Sequence, residues 1–77
     1  MEWQDCITAD PKVLVGKPII KGTRLSVELV LELLASGWTH AQILDNYPTL
    51  KEGDIRACLG YARHVVHTEQ FFAIDPA

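Results

Sequence analysis

The chain has 77 residues, 48% of them hydrophobic and 22% charged, and a formal net charge of −3. That length predicts one domain, the apolar content excludes a disordered chain, and the negative balance argues against a strong nonspecific binder of nucleic acid. No apolar run approaches the ~20 residues of a membrane span, and the polar, acidic start Met1–Asp5 predicts a cytoplasmic chain without a signal peptide.

A domain of this size buries only about 60% of its unfolded surface. Its core alone rarely supplies more than about 3–5 kcal/mol, so a homodimer is expected. Cys6 and Cys58 are the only cysteines. In a reducing compartment both are expected to be free, with Cys58 a small core residue.

Residues 6–25 read as an extended arm. Ile7-Thr8 suits a short strand, and Asp10-Pro11 turns the chain. Val13-Leu14-Val15 is an apolar run ended by Gly16, and Pro18 pushes Lys17 toward extended geometry. Gly22 marks a tight turn. Lys12, Lys17, Lys21 and Arg24 are four of the seven basic residues, and no acid lies between Asp10 and Glu28. The charge is therefore polarised along the chain.

Residues 26–67 read as three helices. Ser26 caps the first, with Glu28 near the positive end of its dipole. Val27, Val30, Leu31 and Leu34 form one apolar stripe and Leu25, Leu29 and Leu33 a second. Two stripes predict burial on two sides, the second against another subunit. Gly37 ends this helix as a C′ residue. Thr39-His40-Ala41-Gln42 is a capping box that opens the second helix, and Pro48 ends it. The third helix starts near Lys51 and runs to about His67. Ile55, Leu59, Ala62 and Val66 mark its expected inner face. Residues 68–77 form a tail whose Phe71, Phe72 and Ile74 are too apolar to leave in water.

No catalytic constellation stands out. His40, His64 and His67 have no nucleophile or carboxylate at triad-like spacing. There is no CxxC, and His64 with His67 makes only half a metal site. Gly16-Lys17-Pro18 lacks the phosphate-loop pattern. The chain therefore reads as a non-enzyme with no cofactor and no metal.

The second and third helices, with a four-residue turn between them, have helix-turn-helix proportions. In that geometry the start of the last helix meets DNA, which nominates Lys51 and Arg56. Glu52 and Asp54 suit DNA only where one accepts from cytosine. Thr39 and His40, at the cap of the second helix, are candidates for phosphate. Lys17, Lys21 and Arg24 lie on an arm that reads either as touching phosphate or as pairing between subunits, or else as structural, with Gly22 permitting the turn and Arg24 pairing with Glu28 or Glu32.

The segment Gly16-Lys17-Pro18-Ile19-Ile20-Lys21-Gly22-Thr23-Arg24-Leu25-Ser26-Val27 is joined by Leu33-Leu34-Ala35-Ser36-Gly37-Trp38, by Ile43 to Leu50 with its Tyr-Pro-x-Leu turn, and by Asp54 to Leu59. Together they resemble the "domain of unknown function 433" family over about residues 6 to 63. The resemblance implies a mostly α fold, a three-helix homeodomain-like helix-turn-helix core with a short β-forming N-terminal arm. It also implies a VapB-like antitoxin of a type II toxin–antitoxin pair. Such a protein binds operator DNA as a dimer and neutralises a PIN-like ribonuclease toxin through its C-terminal stretch, here Phe71, Phe72 and Ile74. Gly53 and the acidic pair in the reading helix set this chain apart. They keep a second expectation in view, a protein–protein interaction module that does not bind DNA.

Overall fold

The computed structural model describes residues 3–9 and 17–68. Two short strands, β1 (Ile7–Ala9) and β2 (Pro18–Ile20), precede three helices, α1 (Val27–Ala35), α2 (His40–Asn46) and α3 (Glu52–Thr68). A single 3-10 turn, Trp3–Asp5, comes before β1. The fold is thus mostly helical, with the strand-forming arm expected from the sequence.

The strands pair antiparallel, Ile7 opposite Ile20, Thr8 opposite Ile19 and Ala9 opposite Pro18. Pro18 stands first in its strand, where a missing N–H is tolerated. A two-stranded sheet is marginal alone in water, so it survives by sending Ile7 and Ile20 into the helical core. The chain then turns at Gly22, whose φ is +83°. The Thr23 hydroxyl braces that turn: it donates to the Ile20 carbonyl at 2.8 Å and accepts from the Leu25 N–H at 3.0 Å.

Ser26 caps α1 by accepting the Leu29 N–H at 3.0 Å. Val27 and Val30 are buried, and Leu25, Leu31, Leu33 and Leu34 pack partly against the same core. The second stripe of α1 is therefore largely taken up within the chain, because Leu25 and Leu33 reach the core from its flank. The expectation that this face needs another subunit is not carried by exposed side chains here. The helix ends with the Gly37 N–H on the Leu34 carbonyl and the Trp38 N–H on the Leu33 carbonyl, both at 3.0 Å.

The inner face of α3 differs from the expected one. Ile55 is buried as predicted, but Leu59 is 44% exposed and Val66 59% exposed. The covered side instead carries Ala57 and Cys58, both fully buried, with Tyr61 packed against them. The reason lies at the other end of the sequence. The Trp3 ring sits against Tyr61, with centroids 5.1 Å apart and planes at 77°, and against His64 at 5.2 Å. This N-terminal turn lies against Gly60, Tyr61 and His64, while Leu59 and Val66 on the neighbouring stripe stay exposed. Both stripes have helical spacing, so periodicity alone does not choose between them.

Ile7, Ile20, Val27, Val30, Ile43, Leu50, Ile55, Ala57 and Cys58 form one core cluster. No helix among the described residues is long and apolar enough to cross a membrane.

Candidate nucleic-acid interface

The candidate surface is built where α2 begins and α3 begins. Thr39 caps α2 in a full capping box: the Gln42 N–H donates to the Thr39 hydroxyl at 3.1 Å, and the Thr39 N–H donates to Gln42 Oε1 at 2.8 Å. The cap consumes acceptor capacity of the Thr39 hydroxyl and leaves its proton free to donate. His40 follows as the first residue of α2.

Between the helices the Leu50 N–H closes a turn on the Tyr47 carbonyl at 2.9 Å, and Leu50 is buried. That anchor fixes how α3 leaves the core. Lys51 stands at the head of α3 and has no side-chain acceptor with which to cap it. Asp54 compensates, its Oδ2 accepting the Lys51 N–H at 2.9 Å. The acid at position 54 thus has a local structural use, which leaves the Lys51 ammonium without an ion pair among the described residues.

Glu52 has a partner on another helix that spacing did not bring out. Its Oε2 lies 2.8 Å from His40 Nδ1 and 3.6 Å from Arg56 Nε. The Arg56 contact is the ordinary i, i+4 pair of a helix surface. The His40 contact crosses from α2 to α3 and is fixed by the fold. All three side chains are exposed, so each pair is worth only about 0–1 kcal/mol.

The arm carries the other three candidates. Lys17 Nζ pairs with Glu28 Oε1 at 3.2 Å, both ends exposed. This corrects the expected pairing of Arg24 with Glu28 or Glu32: Lys17, just before β2, reaches the first turn of α1 and takes Glu28, and Arg24 has no ion pair with either acid. Lys21 and Arg24 lie exposed on the Gly22 turn, with no ion pair among the described residues. No hydrogen bond or ion pair among the described residues joins the arm cations to α2 or α3. The seven predicted contacts therefore fall into two sets. One is Thr39, His40, Lys51 and Arg56 at the helix junction. The other is Lys17, Lys21 and Arg24 on the hairpin. Phe71, Phe72 and Ile74 lie outside the described residues.

Cys58 is a core thiol. Burial pushes its pKa up to about 12, and the charges of Asp54 and Cys6 add to the effect. A thiol held protonated in this way is no nucleophile at neutral pH. Both cysteines are free. Farther along α3, Ala62, Arg63, Val66 and His67 line a shallow groove of about 430 Å³. Among the described residues no group of three or more His, Cys, Asp or Glu side chains is placed to hold a metal.

A family model described as "Protein of unknown function (DUF433)" matches residues 7–62. The chain belongs to the DUF433 family. The matched span contains both sets of cations and Glu52, and it stops short of Arg63, Val66, His67 and the tail. The uncharacterized protein y4eO of Sinorhizobium fredii (strain NBRC 101917 / NGR234) is 32% identical over 59 residues, which are 77% of this chain but 27% of that protein. This DUF433 chain thus spans about a quarter of the length of that curated relative. The crystal structure of a DUF433 member protein from Anabaena variabilis has the same fold. Its TM-score is 0.77 at 28% identity, covering 84% of this chain and 64% of that one.

Proposed function

We propose that this chain is a non-enzymatic, cytoplasmic DNA-binding antitoxin of the VapBC-like, type II kind, acting as a homodimer. Its operator surface is the α2–α3 junction, and its C-terminal Phe71, Phe72 and Ile74 engage a PIN-like ribonuclease toxin. The observation that carries the DNA half is the head of α3. Leu50 is buried, and the exposed Lys51 that follows it has no ion pair among the described residues, with the exposed Arg56 further along α3. In a helix-turn-helix that position meets the major groove, with Thr39 supplying a hydroxyl to the adjacent phosphate. Two copies would place two such helices about one turn of duplex apart. Lys21 and Arg24, exposed and without an ion pair among the described residues, suit outlying phosphates.

A mobility-shift titration with the chain's own upstream region tests this, with and without the toxin, at low salt. Lys51→Ala is expected to weaken binding roughly tenfold, as for a lost charged base or phosphate contact. Lys12→Ala should matter less. Absence of any shift, toxin present or not, overturns the DNA half. Deletion of residues 69–77 tests the toxin half separately: neutralisation that survives the deletion overturns it.

A second reading, a protein-interaction module that never binds DNA, draws on two observations. Glu28 and Glu52 compensate Lys17, His40 and Arg56, and the exposed Leu59 and Val66 give α3 an apolar outer stripe. This reading expects a partner protein to co-purify, and tight operator binding by the isolated chain rules it out.

A further inference from the structure

Glu52 stands where DNA binding calls for positive charge. A single oxygen, Oε2, serves His40 on α2 and Arg56 on α3, at 2.8 and 3.6 Å. A backbone phosphate gripped by the helix junction would offer the same thing, one anionic oxygen between the start of α2 and the first turns of α3. Asp54 does not duplicate this role, since its Oδ2 accepts the Lys51 N–H.

Two roles for such an acid predict opposite outcomes. A carboxylate that locks an arginine in a bidentate fork positions it for a ligand, and removing it weakens binding. A carboxylate that merely occupies the cation competes with the ligand, and removing it strengthens binding. The contact here is a single approach to Nε at 3.6 Å, beyond hydrogen-bond distance. It does not fix the plane of the guanidinium. The shorter contact goes to His40, the first residue of α2.

We propose that Glu52 is a built-in competitor for DNA phosphate, which lowers the affinity of the α2–α3 surface for nucleic acid in general and so leaves binding to depend on base contacts. This rests on the DNA reading of that surface. The expected size follows from counterion release. Freeing Arg56 to neutralise one more phosphate steepens the slope of log affinity against log salt by about 0.9, which near 0.1 M salt is about eightfold in Kd. Because a phosphate contact carries no sequence information, the gain applies to any duplex.

The experiment is a fluorescence-anisotropy titration of the full chain and of Glu52→Gln. Two labelled duplexes are used, the chain's own upstream region and a shuffled duplex of the same composition, over a series of salt concentrations. Glu52→Gln is expected to bind both about eightfold more tightly near 0.1 M salt, with the slope steeper by about 0.9. Adding Arg56→Ala to Glu52→Gln should return both values toward those of the parent. Glu32→Gln, the same charge change on an exposed residue of α1, should stay within about twofold of the parent. If the parent binds and Glu52→Gln binds equally or more weakly, the competitor role is overturned while the DNA reading stands. If neither chain binds either duplex at the lowest salt, with the toxin or without it, the DNA reading fails and takes this inference with it. Equal thermal midpoints for parent and variant confirm that the fold is constant across the comparison.

Discussion

Replacing Gly37 by alanine isolates the cost of one backbone angle. Gly37 has φ +98°, and a Cβ built there meets nothing within 4 Å. Steric clash with other parts of the protein therefore contributes nothing, and the penalty is local. Gly37 is the C′ residue of a Schellman motif: its N–H reaches the Leu34 carbonyl and the Trp38 N–H reaches the Leu33 carbonyl, both at 3.0 Å. Trp38 and Leu33, the C″ and C3 residues, both pack against the core. An L-residue in the left-handed region costs about 1–2 kcal/mol. Alanine also restricts the unfolded chain, which returns about 0.4–1 kcal/mol. The net expectation is a loss of about 1 kcal/mol, or about 4–8 °C in thermal midpoint for a domain of this size. Circular-dichroism melts of the parent, Gly37→Ala and Gly37→Asn measure it. Asparagine tolerates this region better, so its loss should be the smaller. An unchanged or raised midpoint for Gly37→Ala would refute the reasoning. So would equal losses for the two variants, because the cost would then not be steric strain at φ.

Gly60 carries the opposite sign. It lies inside α3, and a Cβ there would sit 3.4 Å from Trp3 Cβ and 3.5 Å from Trp3 Cδ1, ordinary contact distances. Gly60→Ala should therefore stabilise by up to about 1 kcal/mol, read as a higher urea midpoint. Trp3→Ala removes the ring from Tyr61 and His64 and should cost about 1–2 kcal/mol, with Trp3→Phe restoring most of it in the same urea series. Cys58 supplies a pH test. Its thiol pKa is raised from 9.0 to about 12 in the folded chain, so the unfolded chain releases that proton first. The associated stability is intact below pH 9.0 and declines as pH rises toward 12. The decline should be shallower in Cys58→Ala, measured as urea midpoints across that range.

Local signals in the sequence determined the helix boundaries. Ser26, the Thr39-to-Gln42 box, Gly37 and Pro48 act through their own backbones and near neighbours, so their effect is readable in order along the chain. Pro18 and Gly22 marked extended backbone and a tight turn for the same reason. Which side of α3 is covered was decided by tertiary structure alone. Trp3 lies far from Tyr61 in sequence, yet its ring packs on that side of the helix, while Leu59 and Val66 face outward. The candidate site divides the same way. Lys51, Arg56, Thr39 and His40 were nominated by their places at helix starts. The contact between Glu52 and His40 depends on how α2 and α3 cross, a geometry set by the burial of Leu50, Ile43 and Ile55. Spacing could identify Glu52 as an acid in a first turn. Only the packed core could make it the partner of a histidine on another helix.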